Sequence, residues 1–188
     1  MQPDAFKKRE RALEEEFFHR VNKRLTDQLR QSMAEDKSLD ALATATGLQD
    51  RDILLELLST GISAESLVAM SLAPLVLVAW SDGELDDKER LAIASAVHDQ
   101  GILKDSPAGE LLEEWLSHCP SDQLFETWKH YTESLRSSLQ DKAQADLRKQ
   151  ILARCASVAA ASGGVLGLGR VSHQESQVLK DIESVLNA

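Results

Sequence analysis

Val78-Ala79-Trp80-Ser81-Asp82-Gly83-Glu84-Leu85-Asp86-Asp87-Lys88-Glu89 reads as the end of one apolar helix, a short turn and the capped start of a second helix. The first helix stops at an acidic residue followed by glycine, and Leu85 is the aliphatic residue expected to tuck inward. Asp86 and Glu89 have the spacing of a capping box. In such a box the Asp86 carboxylate accepts from an amide one turn into the helix, and Glu89 reaches back to the Asp86 amide. The pattern returns later in the chain. Val158-Ala159-Ala160-Ala161-Ser162-Gly163 matches its first half and Arg170-Val171-Ser172-His173-Gln174-Glu175 its second, with Gly164 to Gly169 inserted between them. Two matching helix–turn–helix units predict pseudo-symmetric halves packed around a shared core.

Outward from these units, nearly every segment has a helical period. Leu13, Phe17, Val21, Leu25, Leu29 and Met33 recur every four residues, with Phe6 and Phe18 beside the stripe. Residues 1–37 therefore read as a charged amphipathic helical arm that either folds back on its own body or docks on another chain. Residues 38–188 read as a helical bundle. Short helices are expected at 38–46 and 50–60, stopped by Gly47 and Gly61. Ser63 is expected to cap a longer apolar helix running to Trp80, kinked at Pro74 and buried at the centre. Further helices are expected over 87–100, ending at Gly101, and over 107–118, with Pro107 in the first turn. Ser121 opens the next, through Leu124, Trp128, Tyr131, Leu135 and Leu139, followed by helices over 141–162 and 173–186. No segment alternates as a strand would. The expectation is all-α, a compact bundle of about seven helices with an N-terminal arm.

At 188 residues and 43% hydrophobic content the chain can bury a core, which argues against wholesale disorder. It has no run of eighteen apolar residues, so no transmembrane segment is expected. Its start, Met1-Gln2-Pro3-Asp4, lacks the basic and apolar regions of a secretion signal, and two cysteines are too few for a disulfide scaffold. A cytoplasmic location follows as the expectation. The net charge of −10 argues against nucleic acid or anionic lipid as the main partner. Charge is also unevenly placed: residues 82–122 hold eleven Asp or Glu against three Lys or Arg, a net of −8, while residues 1–31 carry a net of +2.

The stretch from Val78 to Arg90 resembles the signature of the TerB-like proteins, a helical family named for bacterial tellurite resistance. The family is similar to the N-terminal, membrane-side domain of a DnaJ-like co-chaperone. Gly163-Gly164-Val165-Leu166-Gly167-Leu168-Gly169 before Val171-Ser172 also looks like the second half of some members, so the resemblance covers about residues 63–188. It implies a compact helical bundle, a bacterial stress or membrane-associated context, and an acidic patch that holds divalent cations. It implies no enzymatic activity.

Five carboxylates, Asp82, Glu84, Asp86, Asp87 and Glu89, lie within eight residues. Calcium wants six to eight oxygens, several of them anionic. Placing Gly83 at the sixth position of an EF-hand loop puts Asp82, Asp86 and Glu89 at ligand positions, but leaves Val78 and Trp80 where the first two ligands belong. Half the cage is missing unless Glu110, Glu113 or Glu114 supplies it. Capping explains Asp86 and Glu89 without a metal; it does not require Asp82 or Glu84. The glycines of 164–169 have the spacing of a phosphate loop without its Lys and Ser/Thr, and read better as a wide turn. His19, His98, His118, His130 and His173 have no zinc-ligand spacing. Cys155 sits on an apolar face and reads as core, while Cys119 stands beside His118 without a readable geometry.

The resulting expectation is a non-enzymatic TerB-like adaptor that presents an acidic face to a protein partner, with the arm as a second docking element. Nucleic acid is excluded as a partner, any membrane association runs through another protein, and the oligomeric state is left open. The alternative is a stress-response protein that binds calcium, magnesium or manganese through Asp82, Glu84, Asp86 and Glu89.

Overall fold

The computed structural model describes residues 23–24, 26–28, 30, 32–162 and 172–187. Among them are eight α-helices and no strand, so the all-α expectation holds and the expected count is close. The chain divides into two compact units, Met1–Asp40 and Ala41–Ala188. In the first, every described residue is helical, with Met33 exposed and Leu39 buried. The remainder of the predicted apolar stripe, Phe6, Leu13, Phe17, Phe18, Val21, Leu25 and Leu29, lies outside the described residues.

Helical residues 32–46 (α1) have no break at 38 and stop at Gly47, whose φ of +73° is the left-handed conformation that glycine adopts without a Cβ clash. Asp50 then caps α2 (Arg51–Ser59), its carboxylate accepting from the amides of Asp52 and Ile53. Gly61 ends this helix at φ +81°. From here the structure departs from the sequence reading. Ser63 does not cap a long helix. The Ser63 amide donates to the Ser66 hydroxyl at 2.9 Å and the Ser66 amide to the Ser63 hydroxyl at 3.3 Å, closing a tight turn. A 3-10 turn, Leu67–Ser71, follows, and only then α3 (Ala73–Ala79). Pro74 stands in the first turn of α3 rather than kinking a longer helix, because there its missing N–H leaves no hydrogen bond unmade.

Although short, α3 is the buried centre that its composition predicted. Ala73, Pro74, Leu75, Val76, Val78 and Ala79 are all buried. The helix packs against α4 (Asp87–Asp99), α6 (Gln123–Ser137), α7 (Asp141–Ser162) and α8 (His173–Asn187). α5 (Pro107–Ser117) packs on the 3-10 turn. Its N-cap, Ser106, accepts from the Gly109 amide, and Pro107 occupies its first turn as expected. Leu42, Leu57, Ile62, Met70, Leu72, Ile93, Leu112, Trp128 and Ile182 are also fully buried.

The two predicted helix–turn–helix units correspond to α3–α4 and α7–α8. Val78 and Ala79 in one, and Val158 and Ala159 in the other, are equally buried. α4 packs on α7 and α3 on α8, so the units interlock around one core. The second turn itself, residues 163–171 with its glycines and Val171, lies outside the described residues.

Candidate functional site

The turn from Trp80 to Asp86 is anchored at both ends. Trp80 Nε1 donates to the Trp115 carbonyl at 2.9 Å, and Arg90 Nη2 donates to the Leu116 carbonyl at 2.7 Å. Both acceptors belong to the last turn of α5, where carbonyls lack helical partners and favour a nearby cation. These bonds fasten the acidic turn to the helix that carries Glu110, Glu113 and Glu114. Between the anchors, Gly83 takes φ +90°, and Leu85 is half-buried as the sequence suggested.

The capping box is present in full. Asp86 Oδ1 accepts from the amides of Lys88 and Glu89, each at 2.8 Å, and Glu89 Oε2 accepts from the Asp86 amide at 3.0 Å. Asp82 Oδ1 accepts from the Glu84 amide at 3.1 Å. The second box has the same wiring: the Ser172 amide donates to Glu175 Oε2, and the Glu175 amide donates to Ser172 Oγ at 3.0 Å. Glu89 and Glu175 are each only 4% exposed.

Burial pushes the Glu89 carboxyl up to about 7. The hydrogen bond from the Asp86 amide opposes the rise, and the negative charges of Asp86, Asp82 and Glu175 add to it. The repeat thus brings the two cap glutamates within electrostatic reach of one another. Their proximity was the part of the site the sequence did not announce. The signal was the internal repeat itself, since the equivalent caps of two units packed around one core can come near one another.

Of the four candidate ligands, Asp82 and Asp86 are exposed and serve backbone amides, Glu89 is buried and serves another, and Glu84 is exposed. Among the described residues no three His, Cys, Asp or Glu side chains come together in an arrangement that could hold a metal ion.

Around the turn the acids stand clear of counter-ions. Asp82, Glu84, Asp86, Asp87, Glu110, Glu113 and Glu114 are exposed, and among the described residues none of them forms an ion pair. Glu110, Glu113 and Glu114 line a shallow, open groove of about 500 Å³ along α5, with Lys104 and His118 at its edge.

The cysteines are separated. Burial pushes the Cys155 thiol up to about 12, which suits a core residue and not a nucleophile. Cys119 is exposed and its thiol donates to the Pro120 carbonyl at 3.6 Å. No helix among the described residues is long and apolar enough to cross a membrane. No family model, no curated protein and no solved structure matches the chain.

Proposed function

We propose that the protein is a non-enzymatic, TerB-like interaction module whose acidic helix–turn–helix face, residues 82–114, docks a basic segment of a protein partner. The observation that carries this reading is the set of seven exposed carboxylates without counter-ions, held on two elements that Trp80 and Arg90 fasten together. Carboxylates so presented repel one another in the free protein, and a cationic partner relieves that repulsion. The anchoring also gives the face a fixed shape, which lowers the ordering cost of binding.

The test is a quantitative pull-down with the full chain and with a variant carrying Glu84→Lys, Asp87→Lys, Glu113→Lys and Glu114→Lys. All four positions are exposed, so the fold is retained. The expected result is a partner that is lost from the variant. It should also be lost from the unaltered chain when salt rises from about 0.1 M to about 1 M, which shortens the screening length from about 10 Å to about 3 Å. A partner set indifferent to both changes overturns the reading.

A divalent-cation site at Asp82, Glu84, Asp86 and Glu89 is the second reading, because the negative charges of Asp82 and Asp86 bear on Glu89 and a cation would relieve them. Calorimetric titration of the full chain with calcium, magnesium and manganese separates the two. Heat abolished by Asp82→Asn and Glu84→Gln supports a cation site, and no heat at millimolar metal removes it.

A further inference from the structure

In the second unit, a groove of about 550 Å³ runs between the 3-10 turn, α6 and α7. Its size lies within the roughly 300–1,000 Å³ of small-molecule sites. Leu67, Val68, Trp128, Leu135, Leu147 and Ile151 make its wall predominantly apolar. Val68 is 43% exposed, so part of that wall is open to water.

One charged residue lines the groove, Arg154, and no carboxylate does. The guanidinium has a neutral partner only. The Gln100 side-chain amide, oriented with its oxygen toward Arg154 as hydrogen bonding requires, accepts from Nη1 at 3.0 Å and from Nη2. Among the described residues Arg154 has no ion pair. A half-buried guanidinium beside apolar surface favours an anion that can take two parallel N–H bonds.

The placement along α7 is ordered. Leu147, Ile151 and Arg154 stand at helical positions i, i+4 and i+7, so they share a face. At 1.5 Å per residue the cation lies about 10 Å along the helix from the first leucine. Across the groove, Trp128, Tyr131 and Leu135 share the facing side of α6. The result is an apolar channel with a cationic end, a shape complementary to a chain with an anionic head. Tyr131 has no hydrogen-bond partner among the described residues, and burial raises its phenol, keeping a neutral donor available.

We propose that this groove binds single-chain fatty carboxylates of medium length, the hydrocarbon lying along Leu147 and Ile151 and the carboxylate pairing with Arg154. This site is independent of the acidic face and of the function assigned to that face.

The experiment is titration of the full chain with octanoate, decanoate and dodecanoate below their micellar concentrations, read by calorimetry. Each pair of added methylenes should tighten binding roughly tenfold, as expected for hydrocarbon leaving water. 1-Decanol should bind at least tenfold more weakly than decanoate, and decyltrimethylammonium should not compete with it. Arg154→Gln should weaken decanoate at least tenfold while leaving 1-decanol unchanged. Leu147→Trp, which narrows the channel without touching the charge, should weaken both. The comparison of decanoate with 1-decanol on the unaltered chain stands even where a variant fails to fold. No decanoate binding to the full chain, or equal affinity for decanoate and 1-decanol, overturns the proposal.

Discussion

Glu89 is an acid whose side chain does a structural task from a buried position. Its carboxyl titrates at about 7 in the folded chain against an ordinary 4.5, so between those values the folded state holds a proton that the unfolded state has released. Stability from this group is therefore complete below about 4.5 and is lost as pH rises through about 7. Glu89→Gln keeps an acceptor for the Asp86 amide and removes the titration. The variant should match the unaltered chain near pH 5 and exceed it in Tm near pH 8. Thermal melts followed by circular dichroism across that range check this, and parallel pH profiles for the two proteins would refute it. At the same scale, Gly109 is required for packing. A Cβ there would meet the Leu103 carbonyl oxygen at 2.2 Å and that of Lys104 at 2.7 Å, both backbone atoms that cannot rotate away. Gly109→Ala should cost about 1–3 kcal/mol in urea denaturation, the usual range for overpacking.

Among the elements, the two capped helix starts are the best-determined features. α4 and α8 begin with boxes of the same wiring, so Asp86→Ala and Ser172→Ala should each destabilise by about 1 kcal/mol. Chemical denaturation of each single variant measures this. Costs differing by severalfold would mean that the two units do not carry equivalent caps. The inter-helix ties follow a second pattern. Arg90 donates to the end of α5 and Arg136 Nη1 donates to the Val185 carbonyl, near the end of α8, at 2.9 Å. Glu56 on α2 takes the Thr127 hydroxyl at 3.2 Å, and its other oxygen lies 2.9 Å from His130 Nδ1 on α6. None of these ties has a local sequence signature, because each joins residues at least 26 positions apart.

For the whole molecule, one core joins the helices of the second unit. Trp128 and Ile182, on α6 and α8, are both essentially inaccessible to water. Trp128→Ala should cost about 3–5 kcal/mol and Ile182→Ala about 2–5 kcal/mol, each in a single cooperative transition. A separate early transition in the Ile182 variant would show that α8 is not part of the common core. The legibility of the chain follows the range of the interactions. Helix starts at Asp50, Asp86, Pro107 and Ser172, and stops at Gly47, Gly61 and Gly101, were readable because caps and left-handed glycines act within a few residues. The segment from Ser63 to Trp80 departs from the single helix expected of it because Leu67 to Trp80, apolar except at Ser71, has no period to mark its breaks, and the Ser63–Ser66 turn wins over helix propensity. The sequence by itself determined the helical class, the repeated capped units and the surplus of acid near residues 82–114, all set by local chemistry and composition. Only the tertiary structure decided that Glu89 faces the charge of Glu175, that the acidic turn is fastened to α5, and that Arg154 closes an apolar groove. Those depend on which helix faces pack together, and packing is specified by the whole core at once.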